Sequence, residues 1–160
     1  MADQCIFYSI DSPRESTVKI RRSVFTCRLM PADSISSAKS LISTVSRENK
    51  HATHNCWAYV LGERADVCHC SDAGEPSGTA GKPILNTLNS ASLTQVAAVV
   101  TRIYGGVKLG VRGLIDAYSM SVQSAIDIGP VVKRVCTVSY EIELGYAFND
   151  PFLAKMAPMI

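Results

Sequence analysis

Gln95-Val96-Ala97-Ala98-Val99-Val100-Thr101-Arg102-Ile103-Tyr104 is a near-continuous apolar run with β-branched residues, and Gly105-Gly106-Val107-Lys108-Leu109-Gly110-Val111-Arg112-Gly113 follows it at once. The run reads as a central strand of a sheet, covered on its buried side or sides. The glycine loop leads into a long helix. Leu114, Tyr118, Val122, Ala125 and Ile126 mark the helix's buried stripe, and Gly129-Pro130 stops it.

Working outward, the same grammar recurs. Asn55–Val60 is a strand, Gly62–Asp66 a turn and Val67–Cys70 a returning strand, which together predict a hairpin. Ser71-Asp72-Ala73-Gly74-Glu75-Pro76-Ser77-Gly78-Thr79-Ala80-Gly81-Lys82-Pro83 is a second glycine-rich loop. Pro83 suits a first helical turn, and Ile84, Leu85 and Leu88 give that short helix an apolar face. Upstream, Pro31-Ala32-Asp33-Ser34 starts a helix with Ile35, Ala38, Leu41, Ile42 and Val45 at three-four spacing. Thr17–Leu29 is strand-like but changes phase near Arg22-Ser23, which a bulge or a short turn between two strands explains. Residues 1–16 read as a frayed or loosely docked lead-in.

Order and spacing therefore give β–α–ββ–α–β–α, an α/β (α+β) two-layer sandwich with helices on one face of a sheet. The C-terminal part behaves differently. Val138, Tyr140, Ile142 and Leu144 alternate with polar residues, and Asn149-Asp150-Pro151 opens a helix with Phe152, Leu153, Met156 and Ile160 on one side. The expected organisation is one domain over 1–136, followed at 137–160 by the first strand and helix of a second.

The chain of 160 residues is 47% hydrophobic and 19% charged, which excludes a disordered tail, a collagen-like fibre and a coiled coil. The formal net charge of +2 is too small to hold nucleic acid or anionic lipid by bulk charge, so any such partner needs a local patch. The longest aliphatic stretch, Val96-Ala97-Ala98-Val99-Val100, is far short of the about 20 residues that span a bilayer, and no membrane partner is expected. With no signal peptide visible, the six cysteines are expected to stay reduced in a cytoplasm.

The chemistry concentrates in the two glycine loops. Each runs into a helix, so backbone N–H groups and the positive end of the helix dipole can converge on an anion. The residues offered are Ser77, Gly78, Thr79, Gly81, Lys82, Arg102, Gly105, Gly106 and Lys108. The alternative is that the glycines serve tight turns and close helix packing. The first loop is no nucleotide-triphosphate P-loop, since Pro76 and Pro83 stand where that motif needs a glycine and a hydroxyl residue.

His54, Asp72 and Glu75 are weak candidates for acid–base work or cation holding, with loop capping as the commoner fate of such an aspartate. His54, Cys56, Cys68, His69 and Cys70 suggest zinc, but the spacing is not that of a finger or ribbon, and no metal and no cofactor are expected. Basic residues cluster at Lys19, Arg21, Arg22 and Arg28, and at Arg102, Lys108, Arg112, Lys133 and Arg134. They are either solvated faces or a surface for phosphate backbones.

Three stretches together resemble the IMPACT/YigZ family: His54-Asn55-Cys56-Trp57-Ala58-Tyr59, then Ser71 to Leu85, then Val99 to Gly110. Ser23-Val24-Phe25 is similar to its first-strand motif, and the resemblance covers roughly Thr17 to Pro130. The chain departs from the family pattern at Ala73, usually a second aspartate, at Ile103, usually aromatic, at Arg112, usually glycine, and at Asp116, usually arginine. The resemblance implies a fold like the second domain of ribosomal protein S5, with residues 137–160 beginning a C-terminal ferredoxin-like domain. It also implies translational control, because eukaryotic relatives restrain the kinase that senses amino-acid starvation by competing for its activator.

The expected function is a binding module acting in translation regulation through RNA, the ribosome or a translation-regulating protein. The alternatives are an enzyme acting on a phosphorylated small molecule, or a pure protein-interaction domain. The missing nucleophile and the missing second aspartate favour the binder.

Overall fold

A computed structural model describes residues 5–139 and 141–156. The order is β1 (Ile6–Ser9), β2 (Arg14–Ile20), β3 (Ser23–Pro31), α1 (Ile35–Glu48), β4 (His54–Leu61), β5 (Val67–Ser71), α2 (Gly81–Ser90), β6 (Val96–Ile103), α3 (Gly110–Ile126), β7 (Val132–Val135) and α4 (Asn149–Met156). Strands β2-β3-β6-β4-β5 form a five-stranded antiparallel sheet, and β1 pairs with β7 in a separate ribbon. Among the described residues no helix is long and apolar enough to cross a membrane.

The phase change near Arg22 is a hairpin turn. Arg21 and Arg22 have φ of 44° and 69°, the left-handed pair of a two-residue turn, and Val18 pairs with Phe25 across it. Residues of both parities thus reach the same face. There Phe25, Cys27 and Leu29 meet Cys56, Ala58 and Val60 of β4, Val96, Ala98 and Val100 of β6, and the apolar stripes of α2 and α3. Tyr118 of α3 is fully buried, with its ring edge-on to Phe25 at 5.3 Å. Sheet and α2–α3 layer make the two-layer sandwich.

Helix α1 lies on the opposite face, where the sequence reading put every helix on one. Its Ala38, Ile42 and Val45 bury against Tyr59 and Leu61 of β4 and Ala97 and Val99 of β6. The other parity of β4 and β6 is apolar too, and it must be covered. Ser34 caps α1, accepting from the Ser37 N–H, as its start signal predicts.

From residue 5 to residue 16 the lead-in is docked rather than frayed, and residues 1–4 lie outside the described residues. β1 pairs with β7, and Arg14, 5% exposed, aims its guanidinium at the C-terminal end of α3. It donates to the carbonyls of Ile126 at 2.7 Å, Gly129 at 2.8 Å and Pro130. A cation satisfying the orphan carbonyls at a helix C-terminus also complements the helix dipole.

In the C-terminal segment, α4 starts at Asn149 as its sequence indicates. Thr137–Ser139 and Glu141–Leu144 belong to no strand, because an alternating segment becomes one only when a neighbouring strand satisfies its backbone. Tyr140 and Ile160 of the expected strand and helix lie outside the described residues.

Candidate functional site

The topology brings the motifs to one end of the sheet. β5 and β6 both run antiparallel to β4, so they point the same way, and the glycine loops that follow them emerge together. α2 and α3 therefore begin at that end. The β2–β3 turn joins them, because a Cβ on Gly105 would stand 1.9 Å from the Arg22 carbonyl oxygen. Thr53 and His54, at the start of β4, complete the rim. A cavity of about 460 Å³ is lined by residues of both loops, among them Glu75, Pro76, Lys108 and Gly110, together with His54 and Arg102.

The first loop is closed by its own acid. The Asp72 carboxylate accepts from the backbone N–H groups of Gly78 at 2.8 Å, Ala80 at 3.0 Å and Gly81 at 2.8 Å. These are the donors that sequence reasoning offered to an outside anion at Gly78 and Gly81, and the anion they hold is internal. Thr79 is buried and donates its hydroxyl to the Pro76 carbonyl at 2.6 Å, so it too is engaged. Ser77 and Lys82 are exposed. Capping is the role of Asp72, since a helix start left without a side-chain cap at Ala80 needs an acceptor for its free amides.

Burial works to raise the Asp72 pKa, but the amides of Gly78, Gly81 and Ala80 outweigh it and hold the carboxyl below its ordinary value. A depressed carboxylate stabilises the fold fully above its unfolded pKa of about 3.9, and that contribution drains as pH falls through the lower folded value. Asp72→Asn is expected to cost about 1–2 kcal/mol at pH 7 and to shrink the stability lost between pH 5 and 2, measured by urea unfolding across that range. An unchanged acid limb would refute the assignment.

Behind the loop lies a buried polar cluster. Arg102 donates from Nη1 to Glu75 Oε1 at 2.6 Å, and the Tyr118 hydroxyl donates to the same oxygen at 2.8 Å. The Arg102 and Glu75 side chains are 7% and 3% exposed. Arg102 is therefore paired and buried, not the free anion-binding cation that the sequence suggests. It sits over the rings of Phe25 and Tyr104, which shield it further. Its Nε is buried with no hydrogen-bond partner in the protein. His54 Nε2 lies 3.8 Å from Glu75 Oε2, beyond hydrogen-bond length, while Nδ1 is 2.9 Å from the Ala73 carbonyl and so carries the proton.

The Cys56 thiol is 2.9 Å from the Asp72 carbonyl oxygen and 3.3 Å from the Tyr118 hydroxyl. Burial pushes it up to about 12, which leaves it neutral at pH 7 and no nucleophile. Burial foremost, with Cys56 and Glu75 beside it, pushes the Tyr118 hydroxyl far above its usual value. Cys56 and Tyr118 were missed as members of this cluster. The legible signal was a tyrosine in the buried stripe of α3, whose hydroxyl has to find a partner inside.

The second loop stays open. Gly105 donates its N–H to the Ser23 hydroxyl at 3.3 Å, whereas Gly106, with φ of 87°, has nothing within 4 Å of a Cβ position. The N-cap residue of α3, Leu109, makes no side-chain cap, and no acid occupies the first turn. The start of α3 is thus without a side-chain acceptor, and Lys108, Leu109, Gly110 and Val111 line the cavity. Lys108 and Arg112 are exposed, and so are Arg21 and Arg22 in the abutting turn.

Lys19 is exposed beside that turn, paired with Val24, whereas Arg28 and Arg134 are elsewhere. Arg28 is held by Glu15 and Glu48. Arg134 lines a different cavity with Gln95, at the far end of β6. The cations between 101 and 134 thus form no single surface, because β6 separates their ends by about 25 Å at roughly 3.3 Å per residue.

The zinc alternative does not assemble. Cys68 stands opposite Val60 and Cys70 opposite Ala58, so neither stands opposite His54 or Cys56 on β4. His69 packs against the Trp57 and Tyr59 rings.

A sequence model of the Impact N-terminal domain matches residues 21–126. The chain belongs to the IMPACT family. It is 40% identical over 128 residues to IMPACT family member YvyE of Bacillus subtilis, covering 80% of this chain and 59% of that protein. Identity is 35% over 130 residues to IMPACT family member YigZ of Escherichia coli, covering 80% and 64%. The chain thus spans about 60% of the length of these curated relatives. A solved crystal structure of a hypothetical protein superposes with a TM-score of 0.77 at 27% identity, over 96% of this chain and 92% of that one. The segment matched by the IMPACT domain contains both glycine loops, the Arg21-Arg22 turn and every residue of the buried cluster.

Proposed function

We propose that this IMPACT-family chain is a non-enzymatic binding module acting in cytoplasmic translation regulation, and that it holds the phosphate backbone of RNA. The observation that carries this is the uncapped start of α3 with Lys108 and Arg112, set against the Arg21-Arg22 turn at one end of the sheet. Free helix amides and four exposed cations suit phosphates spaced along a strand. The acid that an enzyme would need, Asp72, is committed to three backbone amides, and the nearest thiol is protonated. Residues 137–160 are the start of a second, ferredoxin-like domain in this reading. In support, Val138, Ile142, Phe148 and Leu153 are exposed apolar side chains that such a domain would cover.

Filter binding of single-stranded RNA at two salt concentrations tests the proposal. Binding is expected to be sequence-tolerant and to weaken steeply with salt, because counterion release supplies most of its free energy. Lys108→Ala should lower affinity alike across sequences and reduce the salt slope by about one unit. Salt-independent binding, or none at low salt, would sink the RNA reading and favour a protein partner.

A further inference from the structure

We propose that Cys5, Glu63 and Cys136 form a site for one thiophilic divalent cation of the zinc class. The inference is independent of the RNA reading and lies away from the glycine loops. The β1–β7 ribbon pairs Ile6 with Val135, and the ladder continues one rung further, where the Cys136 N–H donates to the Cys5 carbonyl at 2.9 Å. Cys5 and Cys136 therefore stand directly opposite each other, and opposed residues project their side chains to the same face of a ribbon.

Glu63 reaches them from the β4–β5 turn. That turn is held near β1 by two bonds of Thr94: its hydroxyl donates to the Gly62 carbonyl at 2.5 Å, and its N–H donates to the Tyr8 carbonyl at 2.9 Å. The Cys5 sulfur is 3.4 Å from Glu63 Oε2, and one ligand atom of each of the three residues lies within 4.8 Å of the other two.

Those separations suit a tetrahedral ion. Zn–S bonds of about 2.3 Å and Zn–O bonds of about 2.0 Å put sulfur and oxygen about 3.5 Å apart, and two sulfurs about 3.8 Å apart. Two thiolates with one carboxylate are a borderline-soft set, which selects zinc over calcium or magnesium, whose ligands are all oxygen. Three protein ligands leave a fourth position for water or for a donor from another molecule. The ligands come from three separate segments, so a bound ion would tie the strand at residues 6–9 and the β4–β5 turn to the strand that leads into residue 137. A disulfide between Cys5 and Cys136 is the competing use of the same pair, but it would leave the carboxylate at 3.4 Å without a part.

The test is titration of the full chain, reduced and stripped by a chelator, with Co(II) and then Zn(II). The expected result is about one equivalent bound, with thiolate-to-cobalt absorption in the near ultraviolet that zinc displaces. Cys136→Ser and Cys5→Ala should each abolish that absorption, and Glu63→Gln should weaken binding by roughly 10–100-fold. Cys68→Ser should leave it intact. Circular dichroism of the metal-free variants checks that each is folded; Cys5 and Cys136 are half-buried on the ribbon and Glu63 is exposed on the β4–β5 turn, all outside the hydrophobic core. No uptake at stoichiometric concentration would overturn the site. So would uptake unchanged by Cys136→Ser, or a chain that loses two hydrogens in air and takes up no metal when reduced.

Discussion

Arg102→Ala is expected to cost about 3–5 kcal/mol of stability, because it leaves the Glu75 carboxylate buried without its counter-charge. The geometry gives the remaining charge little relief. Tyr118 still donates to Oε1, but His54 is 3.8 Å away and reaches no hydrogen bond. A second variant separates the loss of charge balance from the loss of packing over Phe25 and Tyr104. Glu75→Gln combined with Arg102→Met removes both charges, keeps an acceptor for Tyr118 and fills most of the volume. It should recover at least about 1 kcal/mol relative to Arg102→Ala, since a buried pair replaced whole costs far less than a pair cut in half. Urea midpoints for the three proteins decide the matter. A loss below about 1 kcal/mol for Arg102→Ala would mean that water reaches Glu75 and that the cluster is not sealed. The expected loss reassigns Arg102 in any nucleic-acid experiment: its removal would lower RNA binding by unfolding the site, so Lys108 is the residue on which a phosphate contact can be tested.

Gly105→Ala should be nearly as damaging, at about 3 kcal/mol or more, by a different mechanism. The added carbon would meet the Arg22 carbonyl oxygen at 1.9 Å and its carbon at 2.1 Å, so one of two backbones has to move. The turn that yields is the Arg21-Arg22 turn, already at positive φ. Moving it separates the arginine pair from the second loop, so RNA binding at low salt should fall along with stability. Gly106→Ala is the matched control. Its Cβ position is open, and its cost comes only from φ of 87°, about 1–2 kcal/mol. Thermal unfolding of both variants discriminates: equal losses would mean that the turn does not rest on the loop as described.

Much of this architecture was legible because it is local. The apolar run of Val96 to Ile103, the three-four spacing from Ile35 to Val45, the Ser34 cap and the stop at Gly129-Pro130 each follow from the residues of one element. The phase change near Arg22 could be read as a bulge or a turn. Two left-handed residues choose the turn, and the pair Arg-Arg carries none of the Asn-Gly signal that would have announced it. The docking of Arg14 was invisible for a similar reason. Its partners are carbonyls 112 or more residues away, and composition around position 14 looks merely polar.

By itself, the sequence determined the order of elements from β3 to α3, the packing of helices on a sheet, and the family. Each of these depends on periodicity, turn chemistry or a motif within a short stretch. Only the tertiary structure decided what each polar group is paired with. It turned the first loop inward, because Asp72 reaches the amides of Gly78, Ala80 and Gly81 before any ligand can. It buried Arg102 on Glu75 and Tyr118, and left the second loop and the start of α3 open. It also placed α1 on the second face and set Cys5 opposite Cys136. The physical reason is that a charge or an amide can be satisfied by whatever the fold brings within about 3 Å, and that neighbour is set by strand register and packing rather than by sequence distance.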